Sequence, residues 1–130
     1  MDKRPMISIV DDDESVREAT MSLMRAAGYE PEAFPCARDF LNSEQAQHTD
    51  CLIADVQMPG MSGIELHGQL VRSGKAIPTV LITAHPDEKA RQRAMKAGVI
   101  CYLAKPFNQD ELLDCIQTAL DMGDTRSEKS

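Results

Sequence analysis

Short apolar runs alternate along this chain with longer segments in which apolar residues return every three or four positions. Met6–Val10 is apolar except for Ser8 and stops at Asp11-Asp12-Asp13-Glu14, which predicts a buried strand. From Ser15 the spacing turns helical, with Val16, Ala19, Thr20, Leu23, Met24 and Ala27 on one stripe until Gly28 supplies a stop. Residues 29–34 predict a second strand, and Pro31, which has no amide hydrogen, assigns it to or near a sheet edge. A short helix over 37–42, with Phe40 and Leu41 inward, and a polar connection over 43–50 lead to the third strand, Cys51–Asp55. After the Met58-Pro59-Gly60 turn, Ser62-Gly63-Ile64-Glu65 has the pattern of a capping box. The third helix then turns Ile64, Leu70 and Val71 inward and ends at Gly74. The β-branched run 77–83 predicts a central strand, and 87–97 a helix with Ala90, Ala94 and Ala97 inward, closed by Gly98. A fifth strand over 99–104 ends at Lys105-Pro106, and Leu112, Cys115, Ile116, Ala119 and Leu120 line the last helix. Five strand–helix alternations with short loops predict an α/β fold in which a parallel sheet is covered on both faces.

Composition narrows the function. At 130 residues the chain is expected to form one domain over 1–122, with a flexible tail over 123–130 that has no apolar pattern. A net charge of −7 argues against direct contact with nucleic acid phosphates and against an anionic membrane. No apolar run is long enough to span a bilayer or serve as a signal peptide, so a cytoplasmic location is expected. Cys36, Cys51, Cys101 and Cys115 show no C-x-x-C spacing, and they are expected as reduced thiols.

Parallel strands present their carboxyl ends on one edge of the sheet, so the residues that end each strand become neighbours. Those residues are Asp11 and Asp12, Asp55, Thr83 and Lys105. Crowded carboxylates repel one another and take up protons unless a cation sits among them. Hard divalent ions such as Mg²⁺ prefer oxygen ligands and pair readily with one or two carboxylates and a phosphoryl oxygen. Each residue also has a plainer explanation. Asp13 and Glu14 suit a helix start, Thr83 suits a strand, and Asp55 suits a turn. Lys105 has a plain reading as a solvated lysine, but at the end of an apolar strand a lysine asks for an anionic partner.

Residues 5–120 resemble the receiver domain of bacterial two-component response regulators, and most closely the branch of FixJ-type transcription regulators. The segments that carry the resemblance are Ile9-Val10-Asp11-Asp12, residues 55–63, Leu81-Ile82-Thr83-Ala84 and Lys105-Pro106-Phe107. It implies a CheY-like, flavodoxin-like three-layer fold with strand order 2-1-3-4-5. Asp55 would be the phosphoacceptor, receiving its phosphoryl group from the phosphohistidine of a histidine kinase or phosphotransfer protein. Mg²⁺, or Mn²⁺ in its place, would be held by Asp12, Asp55 and the backbone carbonyl of Gln57, with Asp11 acting through water. Lys105, ahead of a cis proline, would offset phosphoryl charge. Thr83 and Tyr102 would form the switch that remodels the face made by the fourth helix, fifth strand and last helix, to which a downstream protein binds. Gln57 and His85 lie where access of the hydrolytic water would be tuned.

Two other classes share parts of this pattern. A flavodoxin-type FMN binder would want hydroxyls and free amides after the first strand, where this chain has four acidic residues. A haloacid-dehalogenase-type phosphatase places a second Asp where Gln57 stands. A docking module that is never phosphorylated is a third reading. No output domain is expected within the chain, which reads as a stand-alone receiver or as part of a longer regulator. Whether phosphorylation brings dimerisation is left open.

Overall fold

The computed structural model describes the backbone of residues 4–129 and the side-chain environment of residues 4–122. Five strands, β1 (Met6–Val10), β2 (Glu30–Phe34), β3 (Cys51–Asp55), β4 (Thr79–Thr83) and β5 (Cys101–Ala104), form one parallel sheet in the order β2-β1-β3-β4-β5. The helices α1 (Glu14–Ala26), α2 (Ala37–Leu41), α3 (Gly63–Arg72), α4 (Glu88–Lys96) and α5 (Gln109–Lys129) connect and follow them. Pro31 sits on the edge strand β2, opposite Ile7, where its missing amide costs the sheet little.

Strand residues alternate between two cores because successive side chains leave opposite faces. Ile7 and Ile9, Cys51 and Ile53, and Val80 and Ile82 meet Met24 of α1 and Leu112, Ile116 and Ala119 of α5. Val10, Leu52, Ala54 and Leu81 meet Phe40 of α2, Leu66 and Leu70 of α3, and Ala94 of α4. The result is a three-layer sandwich, with α1 and α5 on one side and α2 to α4 on the other. Every residue of β3 and β4 is buried, which accounts for their unbroken apolar runs.

Helix starts carry their own chemistry. Asp13 caps α1, accepting hydrogen bonds from the amides of Ser15 and Val16. Asp87 caps α4 through the Ala90 amide, and Ser62 and Glu65 close a reciprocal capping box on α3.

Several details differ from the sequence-based expectation. Residues 44–47 form a short 3₁₀ helix inside the polar connection, anchored by buried Ala46. Val71 is 49% exposed, and Leu66 and His67 join Leu70 on the inner face of α3, because the stripe that meets the sheet runs through Gly63, Leu66 and Leu70. Ala97 caps α4 and is exposed. The last helix, α5, runs through Lys129; Ser130 lies outside the described residues. Extending a helix costs little once it is nucleated, and no proline interrupts this stretch. The expectation of four free thiols also fails: Cys101 and Cys115 form a disulfide, and Cys36 and Cys51 are free. Sequence spacing could not show this, because β5 and α5 approach each other only after the chain has crossed over.

Candidate functional site

Three strand ends converge on one cluster. Asp11 follows β1, Asp55 ends β3 and Lys105 follows β5. The Lys105 ammonium donates to Asp11 Oδ2 and to Asp55 Oδ2, each at 3.1 Å. Asp11 is fully buried and Asp55 nearly so, whereas Asp12 is exposed. Carboxylate oxygens of Asp11, Asp12 and Asp55 all lie within 4.8 Å of one another. Three carboxylates against one ammonium leave an excess of negative charge.

The backbone is fitted to this cluster. The Gln57 amide donates to Asp55 Oδ1 at 3.1 Å, and the Asp13 amide donates to Asp11 Oδ1 at 2.9 Å. The Lys105–Pro106 peptide is cis, as the resemblance implied. Gly63 packs so closely behind Asp55 that a Cβ there would overlap the Asp55 carbonyl oxygen and stand 3.0 Å from both its carbonyl carbon and Leu81 Cδ2.

Electrostatics follow from burial and crowding. Burial pushes the Asp55 carboxyl above its ordinary pKa, and the Asp11 carboxylate adds to that; the Lys105 ammonium and the Gln57 amide pull the other way without cancelling it. Burial alone would lower the Lys105 pKa, but its two carboxylate partners outweigh that and raise it. The lysine is therefore held charged.

Thr83 and Tyr102 leave their strands toward the α3–α4 side, the face of Leu81, with which Tyr102 is in register. Thr83, fully buried, donates its hydroxyl proton to Gln57 Oε1 at 2.6 Å and accepts from the His85 amide at 3.0 Å. The Tyr102 ring packs against the core, and its hydroxyl accepts from the Asp87 amide, at 3.3 Å, at the start of α4. Thr83 is thus tied to the loop after Asp55, and Tyr102 to the α4 cap.

The comparisons with known proteins agree with this geometry. The family model described as the response regulator receiver domain matches residues 7–117. The chain belongs to that family. Its members are phosphoacceptor signalling domains of two-component systems, and Mg²⁺ binding at an acidic pocket is a property of the family. Among curated relatives, the response regulator protein TmoT of Ectopseudomonas mendocina is 40% identical over 129 residues, covering 99% of this chain and 59% of TmoT. The transcriptional regulatory protein FixJ of Bradyrhizobium diazoefficiens is 33% identical over 114 residues, covering 88% of this chain and 56% of FixJ. The chain therefore spans little more than half the length of these relatives. Among solved structures, the response regulator StyR superposes with a TM-score of 0.90 at 46% identity, over 98% of this chain and 64% of StyR. The CheY4 chemotaxis protein of Vibrio cholerae superposes at 0.82 with 29% identity, over 91% of this chain and all of CheY4.

The structure brings Asp11, Asp12, Asp55 and Lys105 into one cluster and places Thr83 beside it through Gln57. Tyr102 lies further along the same sheet face. Sequence reasoning missed three contributors. Arg17 of α1 donates from Nη1 to the Asp11 carbonyl at 2.7 Å, fixing the loop that carries the carboxylates. Gly63 permits close approach of α3 to Asp55, and its signal was a glycine directly after a helix cap. The Gln57 side chain holds Thr83, which no spacing could reveal.

Proposed function

We propose that this domain accepts a phosphoryl group on Asp55 from the phosphohistidine of a histidine kinase or phosphotransfer protein, and that the aspartyl phosphate switches a protein-interaction face. The observation that carries this reading is the convergence of buried Asp11 and Asp55 on one lysine ammonium at 3.1 Å, beside exposed Asp12. In the transfer, an Asp55 carboxylate oxygen attacks phosphorus, the bond from phosphorus to the donor imidazole nitrogen breaks, and the imidazole leaves with its electron pair. Such transfer is mostly positioning and charge neutralisation. Lys105, held charged, swings its ammonium from carboxylate to phosphoryl oxygen.

The excess negative charge and the all-oxygen donor set suit Mg²⁺, with Mn²⁺ as a substitute. Asp12, Asp55 and the Gln57 carbonyl would hold the ion directly and Asp11 through water. When bound, the ion offsets charge on the phosphoryl oxygens. The domain promotes its own phosphorylation and, by admitting a water past Gln57 and His85, its own dephosphorylation.

Once Asp55 is phosphorylated, Thr83 leaves Gln57 to donate to the phosphoryl group, and the Tyr102 ring moves into the space it vacates. The loss of the Tyr102 bond to the Asp87 amide loosens the start of α4 and remodels the α4–β5–α5 face for a downstream protein. We place the receiver domain at residues 1–122 and the protein in the cytoplasm. Relatives named as transcriptional regulators suggest control of transcription as the output.

Incubating the chain with acetyl phosphate, with Mg²⁺ or with a chelator, tests this reading. A single phosphoryl adduct in the intact mass that appears only with the metal supports it. Equal labelling in chelator would remove the metal from the mechanism.

A further inference from the structure

Cys101 and Cys115 join β5 to α5 across 14 residues of chain, with Cα atoms 6.2 Å apart. Their position gives the bridge functional reach. Cys101, Leu103 and Lys105 alternate onto the face of β5 that α5 covers, so the cross-linked strand also presents the Lys105 ammonium that binds both site carboxylates. Tyr102 is the neighbour of Cys101 and leaves the opposite face toward α4. Cys115 lies among Leu112, Ile116 and Ala119, the residues that seat α5 on the sheet. A bond between the two sulfurs therefore pins α5 to the strand that holds both the site lysine and the aromatic ring.

Disulfides are rare in a reducing cytoplasm, and those found there are mostly transient, catalytic or redox-sensing. Neither of the other two thiols is joined in a bridge. Cys51 is buried, and burial pushes its thiol up to about 12, while Cys36 lies at the start of α2. Cys101 is half-buried and Cys115 buried, which suits a reactive and a resolving partner.

We propose that the Cys101–Cys115 pair is a redox modification site, oxidised by peroxide-class oxidants, whose closed form holds β5 and α5 in the arrangement seen here and so opposes the change driven from Asp55. The second half of the proposal rests on the switching reading given above. The Cys101 thiolate attacks one peroxide oxygen, forming a sulfenic acid and releasing water. The Cys115 thiol then attacks the sulfenic sulfur, closing the S–S bond and releasing a second water. Two electrons pass from the pair to the peroxide. A dithiol reverses the step by exchange and leaves as its own disulfide.

The test uses the full chain, first reduced with dithiothreitol and then treated with hydrogen peroxide. Alkylation after denaturation should label four cysteines before oxidation and two after it, with the loss confined to Cys101 and Cys115. Cys101→Ser and Cys115→Ser should each prevent formation of the intramolecular bridge. Hydrogen exchange is then compared with and without Mg²⁺ and beryllofluoride, a phosphoryl mimic. The mimic-induced change over 99–120 should fall at least threefold in the oxidised chain, and the Cys101→Ser/Cys115→Ser double variant should respond fully with or without peroxide. A pair that peroxide does not close, or that dithiothreitol does not open, overturns the proposal, as does an equal response in the two redox states. No response in either state overturns the switching reading, and the lock with it, while the thiol count still reports independently on the modification site.

Discussion

Two glycines in α3 make a matched test of how closely the site is built. At Gly63 an added Cβ would overlap the carbonyl oxygen of Asp55 and stand 3.0 Å from its carbonyl carbon and from Leu81 Cδ2. Carbon atoms pack best at about 3.5 to 4.0 Å, so Gly63→Ala must move α3 away from β3 by roughly 0.5 to 1 Å. The obstacle is backbone in the middle of the sheet, which cannot turn aside as a side chain would. Overpacking of this kind costs about 1 to 3 kcal/mol, against a gain of at most about 1 kcal/mol from replacing a helical glycine by alanine. The clash should prevail. At Gly68, by contrast, the new Cβ meets only Arg72 Nη1, at 3.3 Å, the far end of a flexible exposed chain. There the helix gain should prevail, and Gly68→Ala should be neutral or stabilising by up to about 1 kcal/mol. Urea midpoints at constant m-value measure both effects. A displacement near 1 Å at a reacting group can cost about a hundredfold in rate, so Gly63→Ala should also label with acetyl phosphate at least about tenfold more slowly than the wild type. If Gly63→Ala is as stable as Gly68→Ala and labels at the wild-type rate, close approach of α3 does not position Asp55 and this reasoning is wrong.

Other perturbations probe separate links. Gln57→Ala removes the acceptor that holds Thr83; a hydrogen bond contributes about 0.5 to 1.5 kcal/mol net, so beryllofluoride affinity should rise roughly 2- to 12-fold, and unchanged affinity would mean that Gln57 does not restrain the switch. Asp55 has a raised pKa in the folded chain, so the folded state holds that proton more tightly than the unfolded state does. The resulting penalty is fully present above the folded pKa and is relieved as pH falls through it. Metal-free Asp55→Asn should therefore have a higher urea midpoint than wild type at neutral pH, and its advantage should shrink on acidification; a variant less stable at neutral pH would show that the Lys105 pair outweighs burial. Ser62→Ala opens the capping box of α3 and should cost about 1 kcal/mol, read as a lower melting temperature.

The sheet was legible in the sequence because its central strands are buried on both faces and so appear as unbroken apolar runs, as at Cys51–Asp55. The site was legible for a related reason: parallel strands end together, so Asp11, Asp55 and Lys105 could be grouped from their positions at run ends. Asp13 was correctly weighed as a cap. What stayed hidden depends on packing across elements. Val71 and Leu66 compete for the inner face of α3, and periodicity alone does not choose between adjacent stripes. The hold of Gln57 on Thr83 joins side chains 26 positions apart, and the Cys101–Cys115 bridge depends on how α5 returns beneath β5. The last turns of α5 follow from helix propagation, which leaves no apolar signature.

The most direct measurement locates the phosphoryl group. After reaction with acetyl phosphate and Mg²⁺, borohydride converts an aspartyl phosphate to homoserine, and peptide mass spectrometry reads the position. Homoserine at position 55, with no adduct on intact Asp55→Asn, is the result expected here. Modification at Asp11, Asp12 or a residue outside the cluster, or an Asp55→Asn variant that is labelled as fully as the wild type, would contradict the assignment of Asp55 as phosphoacceptor.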